Sequence, residues 1–132
     1  MYLKDLINHL LDESHELDKL VRAHVLGDTG ALNDIPAEIT RRVQEQIRHE
    51  YGDIVTLHHG CEEKISTDIV WRENSSFTDQ FDIEFAGEDG YLIEAKVPAE
   101  RIKFYIDGEN EFVITEGALN CAIYTVREYF GL

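Results

Sequence analysis

The sequence predicts an α+β fold. An antiparallel, hairpin-rich sheet of about five or six strands should carry two N-terminal helices and one C-terminal helix packed on one face. Three observations predict it. Apolar residues recur at helical spacing over positions 1–52 and again near the C-terminus. Between these stretches they alternate with polar residues at period 2, as half-buried strands do. The alternating runs are separated by short turns containing Gly or Asn, and strands joined by short turns pair antiparallel. The chain of 132 residues is long enough for one domain with a core of its own. A single domain, 1–132, is therefore expected, with a helical region over 1–52, a sheet region over 53–115 and a C-terminal helix over 116–130.

The first helix should run over residues 2–26. Leu3, Leu6, Ile7, Leu10, Leu17, Leu20 and Val21 form its stripe, interrupted at Glu13 and Ser14. Asp18 and Arg22 stand at pairing distance, and Gly27 ends the helix. Its heptad-like spacing also suits a dimerising helix. The second helix should span 36–51, with Pro36 in its first turn and Gly52 past its end. Ile35, Ile39, Val43 and Ile47 make its stripe, and Glu38 and Glu45 can pair with Arg42 and Arg41.

Strands are expected at 53–59 and 65–71. A hairpin should occupy 81–97, reading FDIEFAGEDGYLIEAKV. With a loop of Glu88, Asp89 and Gly90, Phe81 faces Val97, Ile83 faces Ala95 and Phe85 faces Ile93, so one face is wholly apolar. Gly90 takes the positive-φ position of that loop. A second hairpin, over 102–114, should place Ile106 opposite Phe112 and Phe104 opposite Ile114, with Asn110 at positive φ. The last helix begins near Thr115 and presents Leu119, Ala122, Ile123, Val126 and Phe130, with Gly131 at its end.

Charge is the strongest compositional feature. Twenty-seven Asp and Glu face twelve Lys and Arg, a formal net charge of −15. Such a surface repels phosphate backbones and anionic membranes, and it attracts basic protein surfaces. No run approaches the ~18 apolar residues of a membrane span. The opening Met1-Tyr2-Leu3-Lys4-Asp5 lacks a signal-peptide pattern, so a cytoplasmic protein with reduced Cys61 and Cys121 is expected. Many acids, among them Glu50, Asp107, Glu109 and Glu111, have no obvious partner in sequence.

One motif carries chemistry. In the hairpin register, Asp82 stands opposite Lys96 and Glu84 opposite Glu94, so three carboxylates and a lysine share one face. Asp82 followed by Glu94-Ala95-Lys96 resembles the PD-(D/E)XK nuclease superfamily. The resemblance implies catalysis by Asp82, Glu94 and Lys96, with Mg²⁺ held by Asp82, Glu94 and Glu84. Glu38 or Glu45 would supply the helix acid by the same analogy. Carboxylate oxygens suit that ion, and a lysine can orient the attacking water. Phe81 stands where the motif has proline, and a strand follows Pro98 where the family has a helix.

Other clusters point to structure. His58 and His59 are adjacent on a strand and so face opposite ways, and no second Cys/His pair completes a zinc site with Cys61. His15-Glu16 lacks the second histidine of a zincin helix. In composition alone, the chain is similar to the acidic DNA-mimic inhibitors made by phages and mobile elements. The leading expectation is a small acidic, non-enzymatic binding protein without a cofactor. It would inhibit or regulate a nucleic-acid-handling partner through a basic protein surface, with no direct nucleic-acid or membrane binding. A metal-dependent nuclease-like domain is the alternative, and a homodimeric scaffold built on helix 2–26 is the third.

Overall fold

The computed structural model describes residues 1–81 and 86–132. The N-terminal stripe folds as two helices, α1 (Leu3–Glu13) and α2 (His15–Val25). The break falls where the stripe is interrupted. Ser14 leaves helical geometry, and its Oγ accepts from Leu17 N at 3.2 Å, capping α2. The expected single helix over 2–26 is thus corrected to a helix pair. Leu3, Leu6, Ile7, Leu10, Leu17 and Val21 are all buried in the chain's own core. The Asp18–Arg22 pair forms, at 2.8 Å.

α3 (Ala37–Tyr51) follows, entered through Pro36 and ended by Gly52 at φ 95°. Val43 and Ile47 are fully buried, and Ile35 and Ile39 pack at the margin of the core. The start of α1 is tied to the end of α3, because Leu3 N donates to Glu50 Oε1 at 2.9 Å. Among the described residues the expected Glu38–Arg42 and Arg41–Glu45 pairs do not close; Arg48 instead meets Glu100 at 3.7 Å.

The described residues contain eight strands, all paired antiparallel. β1 (Ile54–Cys61), β4 (Tyr91–Pro98) and β8 (Asn120–Thr125) form one sheet in the order β1-β4-β8. β3 (Ser75–Phe77), β5 (Ile102–Ile106) and β6 (Glu111–Ile114) form another in the order β3-β6-β5. The two join where His58 and Thr78 exchange backbone hydrogen bonds of 2.7 and 2.9 Å. A short ribbon pairs β2 (Val70–Trp71) with β7 (Gly117–Ala118). The expected strand over 65–71 is reduced to its last two residues.

The 81–97 hairpin is corrected at the β4 end. Both edges of β4 are occupied: Val97 faces Val55, Lys96 lies between Thr56 and Asn120, and Glu94 lies between His58 and Ala122. Hydrophobic alternation fixes which face a strand buries, but it does not choose the neighbour. Asp82, Ile83, Glu84 and Phe85 lie outside the described residues. Positive φ falls on Gly87, at 76°. Gly90 is needed for another reason: a Cβ there would run into the Ala86 carbonyl oxygen.

The second hairpin forms with Asn110 at φ 49°, as expected, but one residue out of register. Ile106 faces Glu111 and Phe104 faces Val113, with a bulge before Phe104. Phe104, Tyr105, Ile106, Phe112, Val113 and Ile114 are all buried. Both faces of this pair are covered, so a one-residue slip costs no apolar burial and the pattern could not select the register.

The expected C-terminal helix over 116–130 is the largest correction. Residues 117–125 are mostly strand, and only α4 (Val126–Phe130) is helical. Leu119, Cys121 and Ile123 alternate at period 2, while Leu119, Ala122, Ile123 and Val126 fit a helical stripe; Ile123, Tyr124 and Thr125 favour strand. Pairing along the free edge of β4 settles the ambiguity. Arg101 holds the preceding turn, donating to the Thr115 and Ala118 carbonyls at 2.9 and 2.7 Å. Thr125 caps α4, its Oγ1 accepting from Glu128 N at 3.0 Å. α3 packs against β5 and β1 and α1 against β5, and the core they share includes Val55, Leu57, Ile93, Ala95 and Val97 on one sheet face. α4 reaches the reverse face, where the Tyr129 ring lies 6.0 Å from His58.

Candidate functional site: a tyrosine-lined acidic cleft

The sequence-predicted chemistry lies on the reverse face of the first sheet. Glu94 and Lys96 do share that face, since alternate residues of a strand point the same way. Glu94 Oε2 stands 3.3 Å from His58 Nε2, and Lys96 Nζ donates to Thr56 Oγ1 at 2.8 Å. The face is therefore tied internally, strand to strand. Asp82 and Glu84 lie outside the described residues. Glu38 and Glu45 ride on α3, across the sheet from Glu94. Among the described residues no three His, Cys, Asp or Glu side chains converge as a metal site.

His58 and His59 do point to opposite faces. The His59 ring lies 5.2 Å from Trp71 and 5.4 Å from Phe77, and its Nδ1 is 2.7 Å from the Ser76 carbonyl. Cys61 and Cys121 are free and half-buried. Burial pushes both thiols above their ordinary pKa, which leaves them poor nucleophiles. Asn74 is 8% exposed. Its amide donates to Thr29 O and Asn33 Oδ1 at 2.8 and 2.9 Å, and its Oδ1 accepts from Lys103 at 2.8 Å. It is a structural tie between the α2–α3 connection and the sheet.

The most distinctive concavity lies elsewhere. A half-open cleft of about 560 Å³ is built where the ends of several elements meet. Tyr2, Lys4 and Asp5 come from the start of α1, and Glu50 and Tyr51 from the last turn of α3. Asp79 and Gln80 follow β3, while Tyr105, Asp107 and Asn110 surround the β5–β6 turn. Four carboxylates and one ammonium line it, together with three phenols.

Its walls are held from beneath. Tyr51 meets Phe112 edge-on at 5.7 Å, and Tyr105 packs on the same ring at 4.8 Å. The Tyr105 hydroxyl donates to Asn110 Oδ1 at 2.8 Å, fixing the phenol over the left-handed turn. Two of the acids are engaged with backbone: Glu50 caps α1, and Asp5 Oδ2 accepts from Tyr2 N at 3.2 Å. Asp79 is less well satisfied. Its Oδ2 accepts from the Tyr51 hydroxyl at 3.3 Å, long for an O–H···O bond, and its buried Oδ1 has no partner among the described residues.

The phenols register the resulting field. Burial pushes Tyr105 up to about 12, and the charges of Asp79, Asp107 and Glu50 add to the shift. Tyr51 is raised further, by burial first and then by Asp79 and Glu50. The cleft is thus a region of negative potential that disfavours a further negative charge and favours a cation.

The chain, compared with protein-family models, curated proteins and solved structures, matches none of them. No local sequence pattern announced the cleft. Glu50 and Asp107 stood out as acids without sequence partners, but the tyrosines and Asp79 come together only through the fold.

Proposed function

We propose that this chain is a small acidic, non-enzymatic binding protein that docks on a basic protein surface, as an inhibitor or regulator of a nucleic-acid-handling partner. The observation that carries the proposal is the tyrosine-lined cleft, where carboxylates outnumber cations on a chain whose net charge is −15. A field of this sign steers cationic partners and repels phosphate. Basic surfaces are those that nucleic-acid-handling proteins present.

The test is fluorescence anisotropy with a labelled arginine-rich polypeptide and with labelled duplex DNA, at low and high salt. The polypeptide should bind and weaken about tenfold or more as salt rises, because exposed charge pairs are screened beyond a Debye length. The DNA should not bind. Salt-independent binding, or a preference for DNA, would contradict the proposal.

A second reading rests on a specific observation, that Glu94 and Lys96 project from one face of β4. On it, Asp82, Glu94 and Glu84 would hold Mg²⁺, and Lys96 would orient water for phosphodiester cleavage. Mg²⁺-dependent cleavage of a nucleic acid, lost in Glu94→Ala and Lys96→Ala, would support that reading over the first. Absence of cleavage by the unmodified protein would remove it.

A further inference from the structure

We infer that the cleft accepts an arginine side chain of the partner, with Asp79 as its principal anchor. This rests on the binding-protein reading and says where, and by what chemistry, the contact is made.

Three features of the site select the ligand. The first is the aromatic wall. Tyr51 and Tyr105 share Phe112 as a floor, so their rings are held in place before anything binds. A planar guanidinium stacks on such rings, is more weakly hydrated than an ammonium and loses less on entering a half-buried site. The second is Asp79. Among the described residues its Oδ1 is buried without a donor and its Oδ2 holds only the 3.3 Å contact from Tyr51. A guanidinium donates a charge-assisted N–H bond to the exposed Oδ2, and a rotation of the carboxylate brings the buried Oδ1 to its second N–H. Shifting the long Tyr51 contact gives up little, and a charge-assisted pair takes its place.

The third is the shape and charge of the surroundings. Asp107 stands on the turn after β5 and lines the same cleft. It supplies a second negative charge. At about 560 Å³ and half-open, the cleft is larger than one side chain, so it admits an arginine together with the peptide that carries it. Free arginine would leave much of that space unfilled.

The experiment follows aromatic NMR signals of Tyr51 and Tyr105 during titration with a short blocked peptide carrying one arginine. Its citrulline counterpart, which keeps the shape and removes the charge, and free arginine serve as comparisons. The arginine peptide should shift both tyrosines, bind more tightly than free arginine and lose binding on change to citrulline. Asp79→Asn should weaken it about tenfold. Asp107→Asn, on an exposed turn, should weaken it less and reports on the cleft even where Asp79→Asn disturbs folding. Asp68→Asn makes the same charge change on a remote exposed loop and should leave affinity within about twofold.

Equal effects of Asp79→Asn and Asp68→Asn, or undiminished binding of the citrulline peptide, would overturn the inference. Equal affinity for free arginine would overturn its assignment to a partner protein. If an arginine-rich polypeptide still bound the unmodified protein and Asp79→Asn alike, the cleft would be wrong while surface capture stood. If no arginine-rich polypeptide bound at low salt, the broader reading would fall as well.

Discussion

The reverse face of the β1–β4 pair and the tyrosine cleft are both polar, but they treat charge differently. On the sheet face, Glu94 lies against His58 and Lys96 against Thr56, in pairs set directly opposite by strand register. In the cleft, Asp79 and Asp107 stand near three phenols, with Lys4 as the one cationic lining residue among the described residues. Among the described residues, His58 Nδ1 on the first face and Asp79 Oδ1 in the cleft are both buried without a hydrogen-bond partner, but in the cleft the unpartnered atom is a carboxylate oxygen among carboxylates that outnumber the cations. A binding surface is better sought where the fold leaves charge uncompensated than where a sequence motif places charged residues in a row.

Substitutions beneath each region give the largest expected effects. Phe112→Ala removes the ring on which Tyr51 and Tyr105 rest and should cost roughly 3–5 kcal/mol in urea unfolding, with loss of peptide binding. Leu92→Ala, at a buried position on the same face of β4 as Glu94 and Lys96, should cost roughly 2–5 kcal/mol and leave the affinity of the folded protein intact. If Leu92→Ala weakened binding as much as Phe112→Ala, the two regions would not be separable.

Smaller changes sharpen the contrast. Glu94→Gln weakens the contact with His58 and should cost about 1 kcal/mol, read by the same unfolding experiment. Lys96→Ala removes an exposed ammonium and should stay within about 0.5 kcal/mol of the unmodified protein. A much larger loss from Lys96→Ala would mean that the sheet face has a role its present contacts do not require.

The phenols offer a pH test of the cleft alone. Burial, and then the charges of Asp79, Asp107 and Glu50, push Tyr105 up from its ordinary 10.0 to about 12, so the folded protein keeps the neutral phenol longer. Its contribution to stability is complete below pH 10 and is lost as pH rises toward 12. Stability followed through that window should fall less steeply in Tyr105→Phe. An unchanged slope would show that Tyr105 does not feel the cleft's burial and field.

Much of the fold was legible because single elements carry local signals. The α3 stripe, the Ser14 interruption, the Gly52 stop and the Asn110 turn are each written within a few residues. Partner choice was not. β4 reads as one arm of a hairpin, yet it lies between β1 and β8, because alternation specifies a face and leaves the edge open. The stretch 117–125 fits two periods, and the edge of β4 decides between them. The cleft was the least legible feature, since Tyr2, Tyr51, Asp79 and Tyr105 lie at the ends of separate elements and share no spacing. Glu94 and Lys96 were placed correctly on one face, because that depends only on strand alternation.

The most direct test compares Asp79→Asn with Glu94→Gln in binding the same arginine peptide. Each removes one carboxylate charge, so their effects on net charge are equal. Asp79→Asn should lose about tenfold in affinity, and Glu94→Gln should leave it unchanged. Equal losses, or a larger loss for Glu94→Gln, would contradict it.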